Sequence, residues 1–191
     1  MIALTSVLAL LVGSLSLALS LAVALRVKKL LDPLTEEGVL SRGRRDSGPE
    51  PGEAVPAMPA VADFRGEEVE LPVGGHAPWI LTFQAVDCNG CKQQLPAYKK
   101  FLRNAGVERD RVFSVVMGAP EGVAFYAEEL GDLSRVIPQS GITSELVETL
   151  GVSVFPTYAV VEGDRVVHAV QSSARLATTA PRFLSRTMAI G

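Results

Sequence analysis

The segment Ala77 to Pro96, APWILTFQAVDCNGCKQQLP, does most to limit what this chain can fold into. A mostly apolar run ends at Val86, and both cysteines of the 191-residue chain follow at positions 88 and 91. An apolar run without alternation reads as a strand buried on both faces. Beyond it, Cys91, Leu95, Tyr98 and Phe101/Leu102 recur at helical spacing until Gly106, a helix C-terminus signal. The two thiols therefore stand where a buried strand passes into a helix.

The surrounding pattern extends that unit. DFRGEEVEL predicts a hairpin with Arg65-Gly66 at its turn and Val69 and Leu71 on the return strand. RVFSVVMG reads as another buried strand. PEGVAFYAEELG reads as a helix opened by Pro120 and closed by Gly131. RVIPQS reads as a short strand, and ITSELVETLG as a helix capped by Thr143 or Ser144. Two β-branched runs flank Glu162-Gly163-Asp164, a hairpin signal, and PRFLSRTMAI predicts a last helix packing Phe183, Leu184 and Met188 onto the sheet. Alternating strands and helices ending in a hairpin predict an α/β domain over 61–191, a central mixed sheet with helices on both faces.

The first part of the chain is of another kind. Ala3 to Leu25 carries no charged residue, and 23 residues of helix extend roughly 35 Å, enough for a bilayer core of about 30 Å. Residues 1–28 are expected to form a single transmembrane anchor rather than a cleaved signal, because no basic residue precedes the apolar run. Residues 29–60 mix Gly, Pro and charge without an apolar period and read as a flexible tether. Arg26, Lys28, Lys29, Arg42, Arg44 and Arg45 follow the span, which by the positive-inside rule would put the rest in the cytoplasm. A net charge of −3 without a basic, aromatic-interleaved stripe argues against nucleic-acid binding.

What the thiol pair does follows from its place. At a helix N-terminus, unpaired backbone N–H groups and the helix dipole favour a thiolate, making Cys88 the attacking sulfur. Cys91 lies one turn further in, close enough to close a small disulfide ring and to act as the resolving thiol. Competing uses are poorer. Zinc would need His76 and His168 beside the cysteines, and neither histidine has a partner at ligand spacing; no metal and no other cofactor is expected. So tight a structural disulfide would constrain few unfolded conformations. Peroxidase chemistry would want Pro and Thr or Ser where Leu81, Gln84 and Ala85 stand, and no serine sits in a nucleophile-elbow pattern.

Strand, CxxC, a helix with Pro96 five residues after the second cysteine, and VSVFPT before a hairpin together resemble the thioredoxin-like superfamily. The resemblance implies a cis-proline loop at Pro156, flanked by Phe155 and Thr157, facing the thiols and forming the client-binding wall. The inserted helix and strand, the leading hairpin and the anchor resemble its TlpA-like branch. GPEPGEAVP and CNGCKQQLP are similar to the methylamine-utilisation thioredoxin-like proteins, MauD. That likeness implies an oxidoreductase held at the cell membrane with its domain outside the cytoplasm, against the charge rule. It would act on disulfides of exported client proteins and exchange electrons with a membrane or soluble thiol partner. A non-catalytic assembly factor that only binds a client is the alternative.

Three departures from that pattern bear on the chemistry. Asp87 replaces the usual aromatic before the first cysteine, Thr82 stands where thioredoxin buries a carboxylate, and Asn89-Gly90 brings nothing ionisable between the thiols. A carboxylate beside Cys88 disfavours its thiolate, so a rather reducing dithiol is expected.

Overall fold

The computed structural model describes residues 48–184 together with residue 26. The expected span, most of the tether and Met188 lie outside the described residues. Among the described residues no helix is long and apolar enough to cross a membrane.

A two-stranded antiparallel hairpin comes first, β1 (Val61–Ala62) and β2 (Glu68–Val69). Asp63 builds its turn: one carboxylate oxygen accepts the backbone N–H of Arg65 at 2.8 Å and that of Glu67 at 3.0 Å. Gly66 supplies the positive φ of 79° the turn requires. The main sheet has five strands: β3 (Gly75–Ala85), β4 (Val112–Met117), β5 (Arg135–Pro138), β6 (Thr157–Gly163) and β7 (Arg165–Val170), in the order β5-β4-β3-β6-β7. β3 pairs parallel with β4 and antiparallel with β6, so the sheet is mixed as the alternation predicts.

Period-two alternation divides β3 between two cores. Trp79, Leu81 and Phe83 point to one face, packing with Val55, Val69, Leu71, Phe113 and Leu146. Ile80 belongs to the other core, with Cys91, Leu95, Tyr98 and Leu102 from α1 (Asn89–Ala105) and Val123, Tyr126 and Leu130 from α2 (Pro120–Leu130). Helix α3 (Gly141–Thr149) covers the first face through Leu146; α4 (Ser173–Thr179) joins α1 on the second through Leu176.

Three sequence expectations need correction. The α3 cap is Ser140, whose hydroxyl accepts the Thr143 N–H while the Thr143 hydroxyl accepts the Ser140 N–H; Thr143 is therefore the third helical residue of a capping box. The tail holds two helices instead of one, α4 and α5 (Pro181–Leu184), the first capped by Ser172. It was hidden because SSARLATT shows only one large apolar residue, Leu176. The tether boundary at 60 also moves back. Ala54 bridges Arg165, Gly52 N–H donates to Val166 O at 2.7 Å, Val166 N–H donates to Glu53 O at 2.9 Å, and Val55 N–H donates to Asp164 O at 2.7 Å. This stretch pairs with β7 and covers an edge strand that would otherwise offer unpaired groups.

Asp63 ties the hairpin to the sheet. Its side chain is almost fully buried and lies 3.5 Å from the Arg109 guanidinium and 3.3 Å from that of Arg135. Burial alone would raise its pKa, but the N–H groups of Glu67 and Arg65 and the Arg135 charge outweigh it and hold the carboxyl below the ordinary 3.8. A carboxyl depressed in the folded state stabilises fully above the unfolded value and loses that contribution as pH falls through and below it. Urea midpoints are thus expected to drop as pH falls below about 4. Asp63→Asn should cost about 1–3 kcal/mol at neutral pH, because the turn loses a charged acceptor while Arg109 and Arg135 keep Asp110 and Arg135 keeps Glu67, and it should flatten the acid limb of the urea-midpoint curve.

Candidate active site

The turn between β3 and α1 is fixed by the backbone. Val86 N–H donates to Met117 O at 2.9 Å and Cys88 N–H to Ala85 O at 3.2 Å. Val86 is held from below by two glycines: a Cβ on Gly118 would fall 2.1 Å from Val86 Cγ2, and one on Gly122 would fall 2.5 Å from Val86 Cβ. Cys88 is the N-cap of α1 in extended conformation, and its sulfur accepts the Cys91 N–H at 3.0 Å. The sulfur takes the place a Ser or Asp oxygen usually fills at a helix start.

Cys88 and Cys91 form a disulfide with Cα atoms 5.3 Å apart. The two sulfurs are not equivalent: Cys88 is half-buried, whereas Cys91 is fully buried among Leu95, Tyr98 and the second core. When the bond opens, the Cys91 N–H and the helix N-terminus favour negative charge on Cys88. No acidic residue lies in the first turn of α1. Asp87, just before it, points to solvent, where water weakens its opposition.

Across from the pair lies the loop between α3 and β6. The Phe155–Pro156 bond is cis, and the Phe155 carbonyl oxygen stands 3.4 Å from the Cys88 sulfur. Phe155 is half-buried and packs against both cores. Pro156 is buried. Thr157 is not part of an accessible wall: it is 1% exposed and its hydroxyl donates to the Val154 carbonyl at 2.7 Å. It shapes the loop from the first-core side, so of the expected wall the Phe155 backbone is what confronts the thiols.

Helix α1 is aligned by Gln94, whose amide nitrogen donates to the Gln171 carbonyl at 3.3 Å and whose amide oxygen accepts the Ser173 N–H at 2.7 Å. Sequence reading passed over Gln94 and over the Gly118/Gly122 pair beneath Val86. The glycines could have been flagged as close-approach positions; nothing local marks Gln94. The histidines do not approach the cysteines' chemistry. His168 Nε2 is hydrogen-bonded to the Thr179 hydroxyl at 2.6 Å, and its ring stacks on Phe183 at 5.3 Å. Among the described residues no three His, Cys, Asp or Glu side chains gather as metal ligands.

Thr82 is fully buried on the second-core face, and Gln84, equally buried, follows it two residues nearer the cysteines. The Thr82 hydroxyl donates to the Ser114 hydroxyl at 3.1 Å, which is hydrogen-bonded to the Ser134 hydroxyl at 2.7 Å. Sequence reading had identified Thr82 only by what it lacks.

No protein-family model and no curated protein matches the chain. Solved structures do match its fold. The chain is similar to the thioredoxin domain of a thiol-disulfide oxidoreductase from Bacteroides vulgatus, with TM-score 0.60, 19% identity, and coverage of 71% of this chain and 98% of that one. A thiol:disulfide interchange protein from Bacteroides sp. matches with TM-score 0.58, 18% identity, and coverage of 72% and 91%. One of the thioredoxin family from Chlorobium tepidum matches with TM-score 0.54, 17% identity, and coverage of 74% and 98%. The described domain has the thioredoxin-like α/β fold.

Proposed function

We propose that this chain is a thiol–disulfide oxidoreductase, anchored to the cell membrane by residues 1–28, whose domain acts outside the cytoplasm on disulfides of exported client proteins. One observation carries the chemistry. A half-buried cysteine at the mouth of a helix receives the Cys91 N–H on its sulfur at 3.0 Å and holds that sulfur 3.4 Å from the Phe155 carbonyl, with its disulfide partner buried behind it. Such a sulfur can be reached by a visiting chain while its partner cannot, which divides the labour of exchange.

Cys88 thiolate attacks a client disulfide, one client sulfur leaves as thiolate, and a Cys88–client disulfide forms. Cys91 then loses its proton and attacks Cys88, closing the internal disulfide and releasing the second client thiolate. The client is reduced by two electrons and the pair oxidised by two; the reverse order forms a disulfide in the client. The Phe155 carbonyl offers a backbone acceptor for an extended client segment beside the sulfur. The solved relatives in fold include a thiol-disulfide oxidoreductase and thiol:disulfide interchange proteins, which supports this reading. The TlpA-like or MauD-like assignment, and with it a secreted dehydrogenase subunit as client, rests on GPEPGEAVP, CNGCKQQLP and the uncharged Ala3–Leu25 run.

Sidedness is tested by alkylation in intact cells. A membrane-impermeant maleimide is expected to label Cys88 after mild reduction and neither cysteine before it. Labelling that appears only once the membrane is permeabilised would place the domain in the cytoplasm, where the basic residues after the span point.

A further inference from the structure

The first step of exchange leaves a problem that the site itself does not solve. Cys91 must give up a proton to attack, yet it is fully buried and no charged side chain belongs to the core around it. The groups that share this core or face it are Tyr98 on α1, Tyr126 on α2, Tyr158 on β6, and Thr82 and Gln84 on β3; Asp87 and Lys92 at the mouth of the site are exposed. Burial pushes the hydroxyls of all three tyrosines up, so they stay neutral and can pass a proton but not store one.

Four buried polar atoms here have no hydrogen-bond partner within the protein: both amide atoms of Gln84 and the hydroxyls of Tyr98 and Tyr158. Buried polar groups are rarely left so, and several converging ones are what holds an internal water. They converge. The Tyr98 and Tyr158 rings lie 4.9 Å apart, Thr82 and Tyr158 are paired across β3 and β6, and Gln84 follows Thr82 on the same face of β3. Cys91 and Tyr98 share one helix face roughly 10 Å apart, and side chains on a helix lean towards its N-terminus, so Tyr98 leans back towards Cys91. From Thr82 the hydroxyls of Ser114 and Ser134 continue outward in contact. Ser134 forms part of the floor of a surface recess of about 270 Å³, beside Asp63 and Arg109.

We propose that Gln84, Tyr158, Tyr98, Thr82, Ser114 and Ser134, joined by buried water at the unpartnered groups, carry the Cys91 proton from the buried sulfur to this recess. The inference rests on the thiol–disulfide reading. Its balance is simple: Cys91 S–H breaks, the proton passes through the water and hydroxyls to solvent, the S–H electron pair forms the Cys91–Cys88 bond, and the departing thiolate takes the pair of the bond it leaves. These are relay residues; none touches the reacting sulfur of the client.

The test uses the full chain, reduced, mixed with Ellman's reagent. Release of the first thionitrobenzoate reports Cys88 attack, and release of the second reports Cys91 attack on the mixed disulfide. Tyr158→Phe and Thr82→Val should slow the second phase at least about tenfold, short of the roughly hundredfold or more that full general acid–base assistance contributes, with the first phase unchanged. Thr82→Ser, which keeps the hydroxyl, should restore the second phase. Tyr158→Phe gives up only its bond to the buried water, so its urea transition should stay cooperative and well above the assay condition; a slowed second phase beside an unchanged first phase then cannot be ascribed to a damaged fold. Second phases at wild-type rate in both variants, or Thr82→Ser as slow as Thr82→Val, would overturn the relay while leaving the exchange reading intact. A wild-type chain that releases only one equivalent would remove the dithiol reading and the relay together.

Discussion

Cys91→Ser should convert transient exchange into a trap: Cys88 still attacks, but nothing within the protein can release the partner. Incubated with a disulfide-bearing substrate, this variant should accumulate a covalent complex that runs as one species without reductant and separates when dithiothreitol is added. Cys88→Ser should form no such complex, because the sulfur left behind is fully buried. The asymmetry is the point of the experiment. Two structural thiols would be interchangeable in their loss, whereas here one is reachable and carries the Cys91 N–H at 3.0 Å, and the other is neither. Client capture that persists in Cys88→Ser/Cys91→Ser would favour a scaffold that binds clients without exchange.

The largest loss of stability from a single methyl is expected at Gly118. Its φ of 129° disfavours any side chain, and a Cβ there would stand 2.1 Å from Val86 Cγ2. Overpacking and left-handed strain each cost about 1–3 kcal/mol, so Gly118→Ala should lose roughly 2–6 kcal/mol. For a domain of this size that lowers the midpoint of thermal unfolding by about 10 °C. Val86→Ala in the same chain removes the 2.1 Å contact and leaves only its Cβ, 3.1 Å away, so the double variant should recover the steric part and keep the backbone part. Gly122→Ala makes the useful contrast. Its nearest contact is Val86 Cβ itself at 2.5 Å, which Val86→Ala does not relieve. A double-mutant cycle on each pair separates the two cases. Because Val86 lies two residues before Cys88, Gly118→Ala should also slow Cys88 alkylation if the turn is displaced.

The parts of this fold written in contiguous residues were legible from the sequence. The buried run ending at Val86, the helical spacing through Leu102 and the Gly106 stop locate β3 and α1, because local burial and helix termination are read along the chain. The cysteine pair and the FPT turn were legible for the same reason. What was missed depends on residues far apart in sequence. Gly52 to Val55 look like tether, since only their pairing with Asp164 to Val166 gives them structure. Helix α4 shows a single buried Leu and takes its place from the Gln94 amide on α1. Thr157 sits in the right motif, but the sheet's alternation turns its side chain away from the thiols, a consequence of β6 register that FPT alone does not reveal. The polar series Thr82, Ser114 and Ser134 comes from three segments, and each residue alone reads as an ordinary member of a strand or loop.

The central claim is that Cys88 and Cys91 act as one two-electron couple open to exchange. The measurement that bears on it most directly is a redox titration of the full chain in glutathione buffers, with acid quench, alkylation and mass counting of free thiols. Both thiols should appear together over a single transition with the steepness of about 30 mV per decade proper to two electrons, and at a potential nearer the roughly −270 mV of thioredoxin than about −120 mV. Thiols that titrate separately, or a bond that no glutathione ratio opens while dithiothreitol opens it only in denaturant, would contradict the account.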